Sequence, residues 1–204
     1  MLHAPMPSWA AEDGARPARH AAAAGPITIR PGTPADAPTL FALITANLEV
    51  GHLLPRTLPD LVERAHRFLV LVDGSAIVGC GEVAPLSRTV AEIRSLVVDE
   101  RYRGRGLGSR LVDALKRRAR IDEFQTLCAF THQPTRFVGH GFSIVPHQWL
   151  PEKIAHDCRA CPLFRQCGQY AMWFSLNPAG AARPASAGAT ATLPAAVLPG
   201  GFRS

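Results

Sequence analysis

Arg103-Gly104-Arg105-Gly106-Leu107-Gly108 lies between an apolar run, "EIRSLVVDERY", and an amphipathic one, "LVDALKRRA". Glycine lets the backbone approach a ligand closely and adopt torsions that other residues avoid. A helix that starts here presents unpaired N–H groups and the positive end of its dipole, and the neighbouring arginines add charge. This combination suits phosphate groups. A P-loop is excluded, because no G-x-x-x-x-G-K-[ST] occurs. A dinucleotide fingerprint would place an acidic residue at the end of the following strand, whereas Asp122 and Glu123 precede that strand.

The charge distribution points to a compact polyphosphate ligand. The stretch Arg101 to Arg120 holds eight basic residues and one acid, net +7, against +6 for the whole chain, which leaves −1 for the remainder. A nucleic-acid surface would spread its basic residues and interleave aromatics, so no nucleic-acid partner is expected. No apolar run approaches the ~18 residues that span a bilayer, and the first residues lack the basic start and apolar block of a secretory signal. No membrane partner is expected, and the expected location is cytoplasmic.

A second group is Cys158, Cys161 and Cys167, spaced C-x2-C-x5-C, with His156 as a fourth ligand in reach along the chain. The first pair has metal-ligand spacing, so a structural zinc or a three-cysteine iron–sulfur site is one reading. Buried thiols in a compact loop is the other, since free cysteine packs as a small hydrophobe. Five cysteines, an odd number, argue against a disulfide framework. Cys80 and Cys128 fall within strand patterns and read as core.

These residues need a scaffold of strands and helices. Residues 1–26 and 177–204 are rich in Ala and Pro without periodicity and read as disordered tails. Between them, "ITIR" (27–30) reads as a strand and "TPADAPTLFALITANL" as a helix capped by Thr33. "TLPDLVERAHR" is a second helix, capped by Thr57 with Asp60 three residues on. "FLVLVD" (68–73) and "AIVGCGEV" (76–83) flank Gly74-Ser75 as a hairpin. "AEIRSLVVD" (91–99) is a buried strand and "GLGSRLVDALKRRA" a helix with Leu107, Leu111, Ala114 or Leu115, and Ala119 on one face. "TLCAFT" (126–131) is a strand, "PTRFVGH" a short helix, "FSIVPH" a strand and "YAMWFSL" (170–176) the last strand. A cysteine-bearing insertion occupies 150–170. This order predicts an α+β, or mixed α/β, domain over residues 27–176, with one central twisted mixed sheet flanked by helices.

"LVVDERYRGRGLGSRLVDAL" resembles the acetyl-CoA motif of GCN5-related N-acetyltransferases, and the predicted element order matches their fold from Ile27 to Leu176. "GHLLPRTLPDL", "AEIRSLVVD" and "LPEKIAHDCRACPLFRQCGQYAM" narrow the resemblance to short standalone bacterial N-acetylglutamate synthases. The resemblance implies acetyl-CoA as co-substrate, held by Arg103, Gly104, Arg105, Gly106, Leu107 and Gly108. Its pantetheine would lie beside Leu96, Val97 and Val98, where the strand splays from its neighbour. It also implies L-glutamate as the acceptor and the first step of arginine biosynthesis. Another amino acid, a small amine, a protein N-terminus, or a silent CoA-binding module stay as alternatives, and a homodimer stays open.

In the implied reaction Glu92 removes a proton from the acceptor amine; its alternative role is a structural carboxylate paired with Arg94 or Arg56. A backbone N–H of Val97 or Val98 would meet the oxyanion. Many members of the family place a Tyr after the Phe of the short helix; here Val138 stands there, and His132 is the nearest replacement acid. Arg56, Arg94 and Thr131 are the expected acceptor-binding residues, guanidinium being suited to carboxylate. Arg94 shares strand parity with Glu92, which a bulge would change.

Overall fold

The computed structural model describes residues 26–51, 53–162 and 164–177. The tails expected at 1–26 and 177–204 lie outside the described residues except for Pro26 and Asn177. The strands are β1 (Thr28–Pro31), β2 (Phe68–Asp73), β3 (Ala76–Pro85), β4 (Val90–Val98), β5 (Thr126–Thr131), β6 (Ser143–Val145) and β7 (Tyr170–Ser175). The helices are α1 (Ala37–Thr45), α2 (Leu48–Gly51), α3 (Leu58–Arg64), α4 (Leu107–Ile121), α5 (Pro134–Val138) and α6 (Pro151–His156).

The strands form one seven-stranded sheet in the order β1-β2-β3-β4-β5-β7-β6. Only β4 and β5 run parallel; every other neighbouring pair is antiparallel. The expected mixed sheet is thus observed. Two details differ from expectation. The helix predicted after β1 opens as a 3-10 turn at Pro34–Asp36, then breaks into α1 and α2. The insertion contains α6, which the sequence pattern did not single out.

Alternation along the strands sorts the core into two layers. On β2, Leu69 and Leu71 pack with Leu107, Leu111, Leu115 and Ala119 of α4, while Phe68, Val70 and Val72 pack with Leu40 and Ile44 of α1 and Leu61 of α3. The predicted face of α4 is therefore the one that is buried.

On β4 this alternation is deliberately broken. Ala91 and Ile93 belong to the α4 layer, which puts Glu92 and Arg94 on the opposite face. At Ser95 the backbone turns left-handed, with φ 48°, and the pairing to β3 slips from Glu82↔Arg94 to Cys80↔Val97. One extra residue on β4 makes this a β-bulge. Beyond it the parity is inverted: Leu96 and Val98 pack on the α4 layer and Val97 on the other. Gly81 makes room for this crossing, since a Cβ there would sit 2.8 Å from Leu115 and 3.2 Å from Leu96. The bulge follows Arg94, so Glu92 and Arg94 keep their shared face.

Pairing between β4 and β5 ends at Ile93↔Ala129, although β4 continues to Val98 and β5 to Thr131. The two parallel strands splay at the middle of the sheet, and the site lies in that opening.

Candidate active site

A cavity of about 760 Å³ fills the splay. At one end it is walled by Arg103, Gly104, Gly106 and Gly108, along its length by Val97 and Val98, and at the other end by charged side chains.

The first end is the turn into α4. Gly104 and Gly106 have φ of 77° and 72°, the left-handed region that glycine occupies without penalty. A Cβ on either would meet no protein atom within 4 Å, so their small size is needed for torsion and not for packing against the protein. The first helical hydrogen bond runs from Arg110 N–H to Gly106 O at 3.1 Å. The N–H groups of Leu107, Gly108 and Ser109 precede it and have no intrahelical acceptor. Arg103 is fixed beside them: its Nε–H donates to Val98 O (3.1 Å) and its terminal N–H to Asn47 Oδ1 (2.6 Å). The turn thus has the shape and donors of a pyrophosphate cradle.

Most of the positive charge noted in this region serves the fold instead. Arg101 pairs with Asp99, Arg118 with Asp122, and Arg110 donates to Ile27 O. Lys116 and Arg120 lie over the Phe174 ring. Arg105 does not line the cavity; it stacks over Tyr102, 5.1 Å from the ring centre.

The far end holds the charged cluster. Glu92, almost wholly buried, accepts from Arg94 Nε–H at 2.6 Å and from Lys153 Nζ at 2.8 and 2.9 Å. Lys153 also donates to Asp157 Oδ2 at 2.8 Å, and Arg94 donates to the same carboxylate. His156 Nδ1 lies 2.8 Å from Asp157 Oδ1. Burial alone would raise the Asp157 carboxyl; hydrogen bonds from Lys153 and His156 and the Arg94 charge outweigh it and hold the group below the usual range. Arg56, between α2 and α3, pairs with the buried Glu82 of β3 and with Asp60 at 3.4 Å. Its Nε–H is buried and has no acceptor among the described residues. Burial pushes the Arg56 guanidinium down from its ordinary value.

The cavity therefore brings together Glu92, Arg94, Arg56, Thr131, His132 and His156 with Leu96, Val97, Val98 and most of the glycine turn. Thr131 Oγ1 accepts from Gln133 N–H at 3.0 Å. Two members escaped the sequence reading, Lys153 and Asp157. They stand four residues apart at the end of α6, the spacing of a helical ion pair. A lysine in a mostly polar segment gives no sign that it will be buried.

Of the two readings of the insertion's cysteines, the metal one finds no support among the described residues. Cys158, Cys161, Cys167 and His156 do not line up as ligands: among the described residues no group of three or more His, Cys, Asp or Glu side chains is placed to hold a metal ion. Cys158 and Cys161 bracket a 3-10 turn, with Cys161 N–H on Cys158 O at 3.0 Å, while Cys167 is exposed. The insertion docks on the sheet through the ion pairing of Lys153 and Asp157 with Glu92 and Arg94, and through Leu150, buried with Val90, Cys128 and Ala171.

Residues 40–139 match the Acetyltransferase (GNAT) family. The chain carries a GNAT acetyltransferase domain. The splayed parallel pair, the bulge and the glycine turn described above all belong to this GNAT domain. An uncharacterized N-acetyltransferase from Chlorobaculum tepidum is 28% identical over 138 residues, 68% of this chain and 89% of that protein. An amino-acid acetyltransferase from Mycobacterium tuberculosis is 33% identical over 94 residues, 45% of this chain. The match covers 54% of that protein's length. An N-acetylglutamate synthase from Neisseria gonorrhoeae, solved with coenzyme A and N-acetyl-glutamate, superposes with a TM-score of 0.66 at 25% identity. The overlap covers 74% of this chain and 35% of that one. A Mycobacterium tuberculosis protein solved with CoA and NLQ shares the fold, with a TM-score of 0.65 at 23% identity over 74% of this chain and 99% of its own. No helix among the described residues is long and apolar enough to cross a membrane.

Proposed function

We propose that this GNAT domain transfers the acetyl group of acetyl-CoA to the α-amine of L-glutamate, the first step of arginine biosynthesis. The observation that carries the reading is the single cavity joining a pyrophosphate cradle to a buried cluster of cations and carboxylates. The amino-acid acetyltransferase relative and the glutamate-product complex of the Neisseria enzyme support it.

The first-turn amides of α4, with Gly104, Gly106 and Arg103, hold the pyrophosphate of the donor. Leu96, Val97 and Val98 lie beside its pantetheine arm, and an N–H of Val97 or Val98 meets the oxyanion. An ionised carboxylate has about four lone-pair sites. Lys153 and Arg94 fill three on Glu92, leaving one for a proton from the α-ammonium, taken directly or through water. The freed amine attacks the thioester carbon, the C–S bond breaks, and the thiolate takes a proton, for which His132 is the cavity-lining donor. Arg56 and Arg94, both on the cavity wall, hold the acceptor's α-carboxylate with Thr131.

The test is free-thiol release from acetyl-CoA with each amino acid supplied singly. Glutamate-dependent release is expected. Release with other amines only overturns the acceptor, and CoA binding without release under any condition overturns the enzyme.

A further inference from the structure

A second, smaller cavity of about 230 Å³ adjoins the charged end of the first and shares Arg64, Arg94 and His156 with it. Its remaining charged walls are Arg67 and Glu82. Arg67 ends the short 3-10 turn between α3 and β2 and is half-buried. It makes no ion pair and no side-chain hydrogen bond with any described residue.

Its neighbours are different. Arg56 is neutralised by Glu82 and Asp60, Arg64 by Asp60 at 2.8 Å, and Arg94 and Lys153 by Glu92 and Asp157. Among the described residues, the five cations lining the two cavities at this end (Arg56, Arg64, Arg67, Arg94, Lys153) are set against four carboxylates, Glu82, Glu92 and Asp157 in the walls and Asp60 outside them, paired with Arg56 and Arg64. The surplus is one positive charge, and Arg67 is the cation without a counter-ion. A half-buried guanidinium with no counter-ion among the described residues is placed to take an anion in two hydrogen bonds. An α-amino acid with an acidic side chain has one net negative charge, which matches the surplus.

We propose that this second cavity is the subsite for the side-chain carboxylate of the acceptor, bound by Arg67 with Arg64 beside it. The inference rests on the glutamate reading above and adds the residue that sets side-chain selectivity. Arg94, on the wall common to both cavities, divides the two ends of the acceptor. Its reacting amine faces Glu92 in the larger cavity, and its side chain points through to Arg67.

Initial rates of thiol release are measured with L-glutamate and with L-glutamine, the isosteric amide, for the wild-type protein, R67M, R67Q and R67K. The wild-type protein is expected to favour glutamate. In R67M and R67Q the ratio of kcat/KM for glutamate over glutamine falls at least tenfold, R67K restores most of it, and KM for acetyl-CoA does not move. A ratio unchanged in whichever of R67M and R67Q melts like the wild type, or a wild-type ratio near one, overturns the subsite and leaves glutamate acetylation standing. Wild-type protein that releases thiol only with other amines overturns both.

Discussion

Lys153 Nζ lies 2.8 Å from one oxygen of Glu92 and 2.9 Å from the other, across 61 residues of chain. Both groups are buried, and the contact joins the insertion to the strand at the centre of the site. Removing one partner of such a pair strands the other charge in a low-dielectric setting, which costs about 3–5 kcal/mol. K153M should lower the unfolding free energy by about that amount in urea titrations and reduce kcat. A loss under about 1 kcal/mol would mean that water screens the pair.

Arg56 should report on the acceptor and not on the donor. A hydrogen bond to a charged group is worth about 1.5–3 kcal/mol, or roughly 10- to 100-fold in affinity. R56A is expected to raise the glutamate KM by that factor and leave the acetyl-CoA KM nearly constant. Equal effects on both would place Arg56 in the scaffold, acting through Glu82.

Gly106 should report on the donor. Its φ of 72° costs a residue with a Cβ about 1–2 kcal/mol. No protein atom lies within 4 Å of the added methyl, so G106A is expected to fold. Steady-state kinetics should show the acetyl-CoA KM raised about tenfold or more, since 1.4 kcal/mol is a factor of ten, and little change for glutamate. An unchanged acetyl-CoA KM would move the phosphates elsewhere.

Acid sensitivity should depend on Asp36. Two hydrogen bonds from Arg30, at 2.7 and 2.9 Å, hold this carboxyl far below the usual carboxylate range, helped by Thr33 N–H and Oγ1. A carboxyl depressed in the folded state adds stability above its unfolded value near pH 4, and that stability is lost as the pH falls below it. The melting temperature of the wild-type protein should therefore fall more steeply than that of D36N from about pH 5 downward. Parallel curves would show that the pair is solvated away.

The five cysteines should separate by reactivity. Burial pushes the Cys80 thiol up to about 12 and the Cys128 thiol well above its ordinary value. Burial also raises Cys158, while Cys167 is exposed. Since the thiolate is the reactive form, timed alkylation at pH 8 followed by peptide mass spectrometry should label Cys167 first. Cys80 and Cys128 should react only after unfolding. Early labelling of Cys128 would mean that the sheet opens at β5.

The phosphate-binding turn and the α4 core face were legible along the chain because their signals are local. Glycine spacing reports backbone torsion, and the helical repeat reports burial. Ser95 carried no such signal: a serine does not announce a left-handed φ, and the bulge fits because Gly81 on β3 has no side chain to meet Leu96 and the α4 leucines. The fate of the Arg101–Arg120 charges was equally hidden, since pairing with Asp99, Asp122 and Phe174 depends on which side chains come near.

The sequence by itself determined the order of elements, the mixed sheet, the GNAT turn and the parity that sets Glu92 beside Arg94, all consequences of periods of two and 3.6 residues. Tertiary structure alone decided that β4 and β5 part after Ile93, and that Lys153 and Asp157 close over Glu92. It also left Arg67 without a counter-ion among the described residues. Charge neutralisation is settled between groups distant in the chain, and a buried ion is stable only beside partners that folding brings to it.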